Sequence, residues 1–409
     1  MRILILTRNF PPRSCGVGDY AQRMGETLAA AGNQAVVLTE PAGPSRPASV
    51  SIVEHALSGR RDLRGVLAAI LEQKPERVQL EYAGYAWGRW GVAWWVNALL
   101  FALRRRKIPV HIGLHEAAIR MRENAWQIPV ALAQWVHVGL LLAAADSVEV
   151  NMLTRVAELG RVFPWWRARL RYRPNSSTIP VVSATAGARA AFRRQHGAGE
   201  TDAVVATFGM FHSTKNYAAL IEAVARVRAT RRVKLWMIGD SGMAASGYLA
   251  GLREKIGELG IEESVWWSGR LDAGEVSLAL QAADVFVLPQ ADGHLTRSSA
   301  LMAAAAHGLP VVAVRNPADQ IEFTHGKDVW LVERSVPEEI AAGVHALLGD
   351  PGRASEMGQA LRRLYQARFA WQVTLGAQPP EGAETGATAM EIARAAAAAE
   401  SSSLAKAER

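Results

Sequence analysis

The sequence predicts an α/β chain made of two doubly wound, Rossmann-like domains that face each other across a cleft. Three observations carry this expectation. The chain has 409 residues, too many for one ordinary core. Short β-type runs alternate with helical patterns, and that alternation stops in a turn-rich stretch and then begins again.

In the first half, residues 3–7, 35–39, 78–81, 110–114 and 147–150 read as strands with amphipathic segments between them, the pattern of a mostly parallel sheet covered by helices. The stretch Pro174-Asn175-Ser176-Ser177-Thr178-Ile179-Pro180 reads as a linker. Beyond it, residues 204–208, 234–238, 265–268, 285–288 and 311–313 read as strands. Tyr217, Leu220, Ile221, Val224 and Val227 repeat at helical spacing, as do Leu278, Leu280 and Ala283. The expected organisation is therefore an acceptor-side domain over 1–180, a donor domain over 181–365, a segment over 366–377 returning toward the first domain, and a disordered tail over 378–409. The tail is rich in Pro, Gly, Ala and Ser and has no apolar stripe.

Composition narrows the function classes. Half of the residues are hydrophobic, enough to bury two cores. The single cysteine, Cys15, excludes an intramolecular disulfide framework, no Cys/His cluster has zinc spacing, and this fits a reducing cytoplasm. The opening apolar run stops at Arg8-Asn9, too short for the apolar part of an export signal, so it reads as a buried first strand. The apolar stretch 130–145 carries Gln134 and His137, falls short of the roughly 20 residues of a membrane span, and reads as a core helix. Net charge is +8, unevenly spread: residues 1–180 hold 23 Lys/Arg against 13 Asp/Glu (+10), leaving 23 against 25 beyond (−2). Any basic partner surface thus belongs to the first half.

Site-like segments fall where parallel sheets hold ligands, at the carboxyl ends of strands. The loop Asn9-Phe10-Pro11-Pro12-Arg13-Ser14-Cys15-Gly16-Val17-Gly18-Asp19-Tyr20 joins the first strand to a helix, and Gly16 and Gly18 let backbone N–H groups approach an anion. A dinucleotide fingerprint is a poor fit: the loop is long, and Ala21 stands where the third glycine belongs. Glu40 imitates the ribose acid of such a site, and a purely structural turn is the plainer alternative. His115 and Glu116 follow the strand 110–114, where His115 can donate a hydrogen bond to a sugar hydroxyl or a departing phosphate, or simply cap the surface.

In the second half, Gly209 to Lys215 is a loop opening a helix, so Lys215 sits near N–H groups that favour anions. It is not a Walker A loop, since no glycine directly precedes the lysine, and a solvated lysine is the bland reading. The stretch 291–312 follows a strand and opens a small-residue helix. There Arg297, Ser298 and Ser299 supply a guanidinium, two hydroxyls and free amides, a set suited to a diphosphate. With Lys215 and Arg297 converging, two positive charges offset those of a nucleoside diphosphate as it leaves, without a metal.

Residues 81–91 (Glu81-Tyr82-Ala83-Gly84-Tyr85-Ala86-Trp87-Gly88-Arg89-Trp90-Gly91) follow a strand and offer aromatics that stack on sugar rings or fill a hinge core. Trp90, Trp94 and Trp95 run into Arg104-Arg105-Arg106-Lys107, and Phe163 to Arg171 is a second aromatic-basic segment. Tryptophan beside cations suits an anionic bilayer surface, and the alternative is an ordinary amphipathic helix with a solvated basic end. No RNA- or DNA-binding module accompanies the charge, so nucleic acid is not an expected partner.

Together these segments resemble the GT-B glycosyltransferases, specifically the large retaining group called family four, over roughly residues 1–375. The resemblance rests on order and spacing. Pro11-Pro12 with Gly16-Val17-Gly18 follows the first strand, His115 ends a strand, Gly209 to Lys215 opens the donor domain, Gly269-Arg270-Leu271 follows another strand, and Gly308-Leu309-Pro310-Val311-Val312 comes last. It implies that Gly16 and Gly18 border the donor phosphates and sugar, that Lys215 binds the diphosphate, and that the loop after Gly269 borders the base. It also implies that the acceptor sits in the first domain, the side of Asp19, Tyr20, Glu81 and Tyr82, and that no cofactor or divalent metal is needed. Two departures stand out. The family's paired glutamates, with seven residues between them, fall on Leu295 and Ala303, and the arginine usual after Gly209 is Met210, a charge that Arg297 is expected to replace.

The resulting expectation is a transferase moving a sugar from a nucleotide-sugar donor to a glycan or lipid-linked acceptor with retention, in polysaccharide or glycoconjugate biosynthesis. It would be cytoplasmic and peripheral on the inner face of the membrane. The alternatives are a non-catalytic GT-B scaffold or partner subunit, motivated by the missing glutamates, and an enzyme like the sugar-nucleotide epimerases.

Overall fold

The computed structural model describes residues 1–13, 15–41, 50–57, 59, 62–116, 128–240, 246–316 and 322–376. The chain divides between Pro174 and Asn175 into two units. The proposed tail over 378–409 lies outside the described residues.

The first unit holds a seven-stranded sheet, wholly parallel: β1 (Arg2–Leu6), β2 (Gln34–Thr39), β3 (Ser51–Glu54), β4 (Arg77–Tyr82), β5 (Val110–Leu114), β6 (Ser147–Val150) and β7 (Leu170–Tyr172), in the order 3-2-1-4-5-6-7. Strand order reverses beside β1, which pairs with β2 on one side and β4 on the other, so the crevice beyond its carboxyl end is the natural ligand position. β1 reads as an unbroken apolar run because both of its faces are covered, and Ile3 to Leu6 are buried.

The second unit holds a six-stranded parallel sheet of β8 (Ala203–Phe208), β9 (Val233–Ile238), β10 (Val265–Trp267), β11 (Val285–Leu288), β12 (Val311–Val314) and β13 (Trp330–Val332), in the order 10-9-8-11-12-13. The periodicity read at Tyr217 to Val227 is the buried face of the helix Tyr217–Arg228. The helix Ala273–Ala282 starts at a capping box in which Asp272 and Glu275 each satisfy the other's backbone N–H.

Three strands escaped the sequence reading: β3, β7 and β13. All are edge strands of three or four residues, so the two-sided apolar run that marks a central strand is missing from them. β7 lies inside the segment read as aromatic and basic, and its Arg171 is exposed while Leu170 is buried.

The stretch read as a linker is packed. Asn175, Ser176 and Ser177 are buried, and Asn175 donates from its backbone N–H to the Thr296 carbonyl and from Nδ2 to the Arg297 carbonyl. Ser176 and Ser177 hydrogen-bond Phe369, Thr374, Tyr365 and Trp371, so the segment 365–374 lies against the start of the second unit.

The apolar stretch 130–145 is the helix Ile128–Ala144. It is only partly a core helix: Ala131, Trp135, Val138 and Leu142 are buried, whereas Ile128, Leu132 and Val136 are exposed. No helix among the described residues is long and apolar enough to cross a membrane.

Candidate functional site

In the second unit, β8, β9 and β10 each run out into a glycine of positive φ: Gly209, Gly239 and Gly269. Gly239, at φ 130°, is the most constrained, because a Cβ there would lie 2.1 Å from the Gly209 carbonyl oxygen. Gly239 also bridges Gly269, and the Ser268 hydroxyl accepts from the Gly239 N–H at 2.9 Å and donates to the Gly269 carbonyl at 2.7 Å. The result is a shelf of bare backbone at the carboxyl end of the sheet, with Arg270 exposed beside it.

Lys215 is placed from its neighbour. Asn216 adopts a left-handed conformation (φ 50°), and its Nδ2 donates to the Ser335 hydroxyl and carbonyl at 2.7 and 2.9 Å. Ser335 in turn donates to the carbonyl of Pro289, the residue after β11. This tie sets the Lys215 amine against the end of β11, where Nζ donates to Oε1 of Gln290 at 2.7 Å. Gln290 donates to Asp292 at 2.6 Å, and Asp292 is ion-paired with Arg297. Lys215 and Arg297 thus stand at the two ends of a short polar chain.

Burial, and then the Arg297 charge, lower the Lys215 pKa, while Asp292 works the other way. Two cations held close with one carboxylate between them form a centre that an incoming polyanion relieves. Beside them the helix Ser299–His307 presents its N-terminus. The Ser298 hydroxyl, expected to be free for phosphate, is the helix N-cap instead: it accepts from the Leu301 N–H at 3.2 Å and the residue is buried. Ser299, the first helical residue, is partly exposed. Leu295 and Ala303, where paired glutamates were expected, are fully covered core residues, so those two positions offer no polar surface.

In the first unit, Gly16 opens the helix Gly16–Ala30, is exposed, and has open space where a Cβ would stand. Cys15, the N-cap, makes no side-chain cap hydrogen bond, which leaves the first-turn amides uncapped by it. Gly18 serves packing instead, since it is buried and a Cβ there would lie 2.6 Å from the Asn9 carbonyl oxygen; its small size seats the helix on the preceding loop. Asp19 is partly exposed on the first turn of this helix. Glu40, which imitates a ribose ligand, is engaged by Arg8 at 3.1 Å and Arg13 at 3.3 Å.

His115 follows β5 and is mostly covered. Its Nε2 lies 2.6 Å from Oε2 of Glu81, and its ring meets Tyr20 edge-on at 5.1 Å between centroids. Glu81 and Tyr82, expected to face an acceptor, point inward. The Glu81 carboxyl is fully buried, and the Tyr82 hydroxyl lies 2.6 Å from His137 Nε2 in a buried cluster that continues to Asn97. Tyr20 is buried as well, and burial pushes its hydroxyl pKa far above the usual range. Of the aromatics in 81–91, Trp87 is core, whereas Tyr85 and Trp90 are exposed.

The structure therefore brings together Lys215 with Arg297, His115 with Glu81 and Tyr20, and Gly209 with Gly269. Sequence reasoning missed Gln290 and Asp292, which couple the two cations, and Gly239, which completes the shelf. It also missed Arg173, which lies behind Glu81. Gly239 follows a strand much as Gly209 and Gly269 do and was open to the same reading. Gln290 and Arg173 carried no signal, because Lys215 and Glu81, which they meet, lie far away in sequence.

Residues 188–364 match the family described as glycosyl transferases group 1. The chain is 28% identical, over 93% of its length and 97% of the other's, to a GDP-mannose-dependent alpha-(1-6)-phosphatidylinositol monomannoside mannosyltransferase of Mycolicibacterium smegmatis. It is 26% identical to a D-inositol 3-phosphate glycosyltransferase of Segniliparus rotundus, over 76% of this chain and 67% of that one. Among solved structures, Anabaena HepE in complex with UDP and glucose aligns with a TM-score of 0.70 at 17% identity, covering 92% of this chain and 98% of that one. WaaG, a glycosyltransferase involved in lipopolysaccharide biosynthesis, aligns with a TM-score of 0.66 at 14% identity and the same coverage. These structural likenesses show the fold, the paired Rossmann-like sheets of the GT-B type.

Proposed function

We propose that the chain is a group 1 glycosyltransferase moving sugar from a nucleotide donor to an acceptor, with GDP-mannose as the donor and a phosphoinositol lipid as the acceptor. The observation that carries the donor side is the polar chain Lys215–Gln290–Asp292–Arg297. In this reading the diphosphate docks on the Lys215 amine, the Arg297 guanidinium and the amides at Ser299, and the base lies along the glycine shelf by Arg270. As the bond from the anomeric carbon to phosphate oxygen breaks, negative charge grows on the leaving diphosphate, where the two cations stabilise it most. The acceptor oxygen bonds the same face of the anomeric carbon, and its proton passes to a leaving phosphate oxygen.

A lipid-borne acceptor is supported by the surface of the first unit. Leu132 (50% exposed) and Val136 (57%) continue the line of Ile128 along one side of their helix. The next position, Gly139, is covered by the Phe163 ring, which leads to exposed Val162 and to Trp165 at 80%. Arg161, Arg167 and Arg171 are exposed in the same segment, and none is ion-paired among the described residues. An apolar ridge edged with exposed guanidinium groups fits an anionic bilayer face. In this reading the enzyme works as a peripheral protein on the cytoplasmic side.

The direct test supplies the purified chain with GDP-mannose or UDP-glucose and vesicles containing phosphatidylinositol. A mannosylated lipid formed from GDP-mannose is the expected product. Transfer from UDP-glucose alone overturns the donor assignment, and transfer only to acceptors lacking inositol phosphate overturns the acceptor assignment.

A further inference from the structure

Behind His115 lies a buried row of charge that none of the above uses. Glu81 on β4 is in register with Gly113 on β5, and Gly113 with Glu149 on β6. The glycine between the two carboxylates makes the niche: a Cβ on Gly113 would lie 2.4 Å from Oε2 of Glu81. Within that niche, Oε1 of Glu81 accepts from Gln79 Nε2 at 2.9 Å and faces Arg173 Nη2 at 3.6 Å, while among the described residues Oε2 has His115 as its hydrogen-bond partner. Arg173 also pairs with Glu149 at 2.7 Å. Burial acts against the charge of Arg173, but Tyr20, Glu149 and Glu81 more than offset it, and the guanidinium stays firmly protonated. Burial alone would raise the Glu81 pKa, yet its hydrogen bond with His115 and the nearby positive charge hold it below the usual value.

An ionised carboxylate only accepts hydrogen bonds, so the 2.6 Å contact requires His115 Nε2 to carry the proton. Nδ1 has no hydrogen-bond partner among the described residues. We propose that Glu81 is the positioning residue of a carboxylate–histidine dyad that fixes His115 as the Nε2–H tautomer, so that His115 meets substrate through the Nδ1 lone pair, accepting from a hydroxyl. This reverses the donor role expected from sequence. It rests on the reading that His115 lies in the substrate site, and it narrows what His115 recognises there to a sugar or acceptor hydroxyl, excluding a fully ionised phosphate oxygen.

The network also dictates what Glu81→Gln does. Position Oε1 faces two donors and position Oε2 faces one ring nitrogen, so the new amide places its oxygen toward Gln79 and Arg173 and its NH₂ toward His115. The ring must then accept at Nε2 and carry its proton on Nδ1, the inverse tautomer in an otherwise conserved shape.

The experiment is nitrogen-15 NMR of the imidazole rings in the full chain at the assay pH, with the His115 signals identified by their loss in His115→Gln. Wild type should show a protonated Nε2 and a bare Nδ1, and Glu81→Gln should exchange the two. In the same variant kcat/KM should fall roughly 10–100-fold, mainly through kcat, since the substrate hydroxyl must turn to accept from Nδ1–H instead of donating to the Nδ1 lone pair. A wild-type ring protonated on Nδ1 overturns the proposal, and so does a Glu81→Gln enzyme with unchanged ring nitrogens. If Glu81→Gln fails to fold, the wild-type spectrum still decides the tautomer. If the dyad appears but His115→Gln transfers sugar at the normal rate, the dyad stands and the placement of His115 in the site falls.

Discussion

Lys215 Nζ lies 2.7 Å from Gln290 Oε1, so a largely covered amine is held by a neutral acceptor, while Asp292, the carboxylate whose charge acts on it, is engaged by Arg297. A lysine held this way keeps its charge available to a ligand. Lys215→Met should therefore lower kcat/KM by roughly 10²–10³, as losing one charge-stabilising group does elsewhere. The melting temperature should stay within a few degrees, because the substitution removes a buried charge and leaves an apolar stem. Single-turnover transfer beside a thermal melt checks both, and an unchanged rate removes Lys215 from the diphosphate site.

The same geometry sets a pH dependence. Burial and the nearby Arg297 lower the Lys215 pKa from its ordinary 10.5. The charged form is thus lost at a lower pH than for a solvated lysine, and donor affinity should weaken on the alkaline side before pH 10.5 is reached. Because the diphosphate prefers the charged amine, saturating donor should move this limb to higher pH. Calorimetric titration with GDP across the alkaline range reads both shifts.

On the ridge of the first unit, Leu132→Asp with Val136→Asp should reduce binding to phosphatidylinositol vesicles about tenfold or more. Each change puts a charge where apolar contact with the bilayer is expected. Transfer to a soluble acceptor should be unaltered, because both side chains already face solvent. Cosedimentation with anionic and zwitterionic vesicles separates the two contributions. Equal binding of wild type and variant would remove the ridge as the docking face.

Acid should destabilise the first unit through His137. Burial lowers its pKa from 6.5 to about 4. Between these values the unfolded ring takes up a proton that the folded ring refuses, so its contribution is complete above pH 6.5 and is lost as pH falls toward 4. The loss over that window is about 3 kcal/mol. Urea unfolding at several pH values should show this slope in wild type and a shallower one in His137→Gln.

Much of this was open to reading from residues alone. Central strands such as β1 and β11 announced themselves because burial on both faces demands unbroken apolar runs. Gly209 and Gly269 were legible because a positive φ at the end of a strand restricts residue type. The edge strands β3, β7 and β13 were not, since part of their surface is free to be polar. Helix Ile128–Ala144 misled for the opposite reason: its sequence is apolar all round, and only packing shows that Ile128, Leu132 and Val136 are left uncovered.

From the amino-acid order came the α/β plan of two parallel sheets, because periodicity depends on neighbours along the chain. Tertiary structure alone decided that Gln290 and Asp292 couple Lys215 to Arg297, that Leu295 and Ala303 are core, and that Glu81 turns inward to hold His115. Those outcomes depend on the register between strands and on which side chains share a buried space. Pairs such as Lys215 with Gln290, far apart in the chain, meet only when the sheet closes.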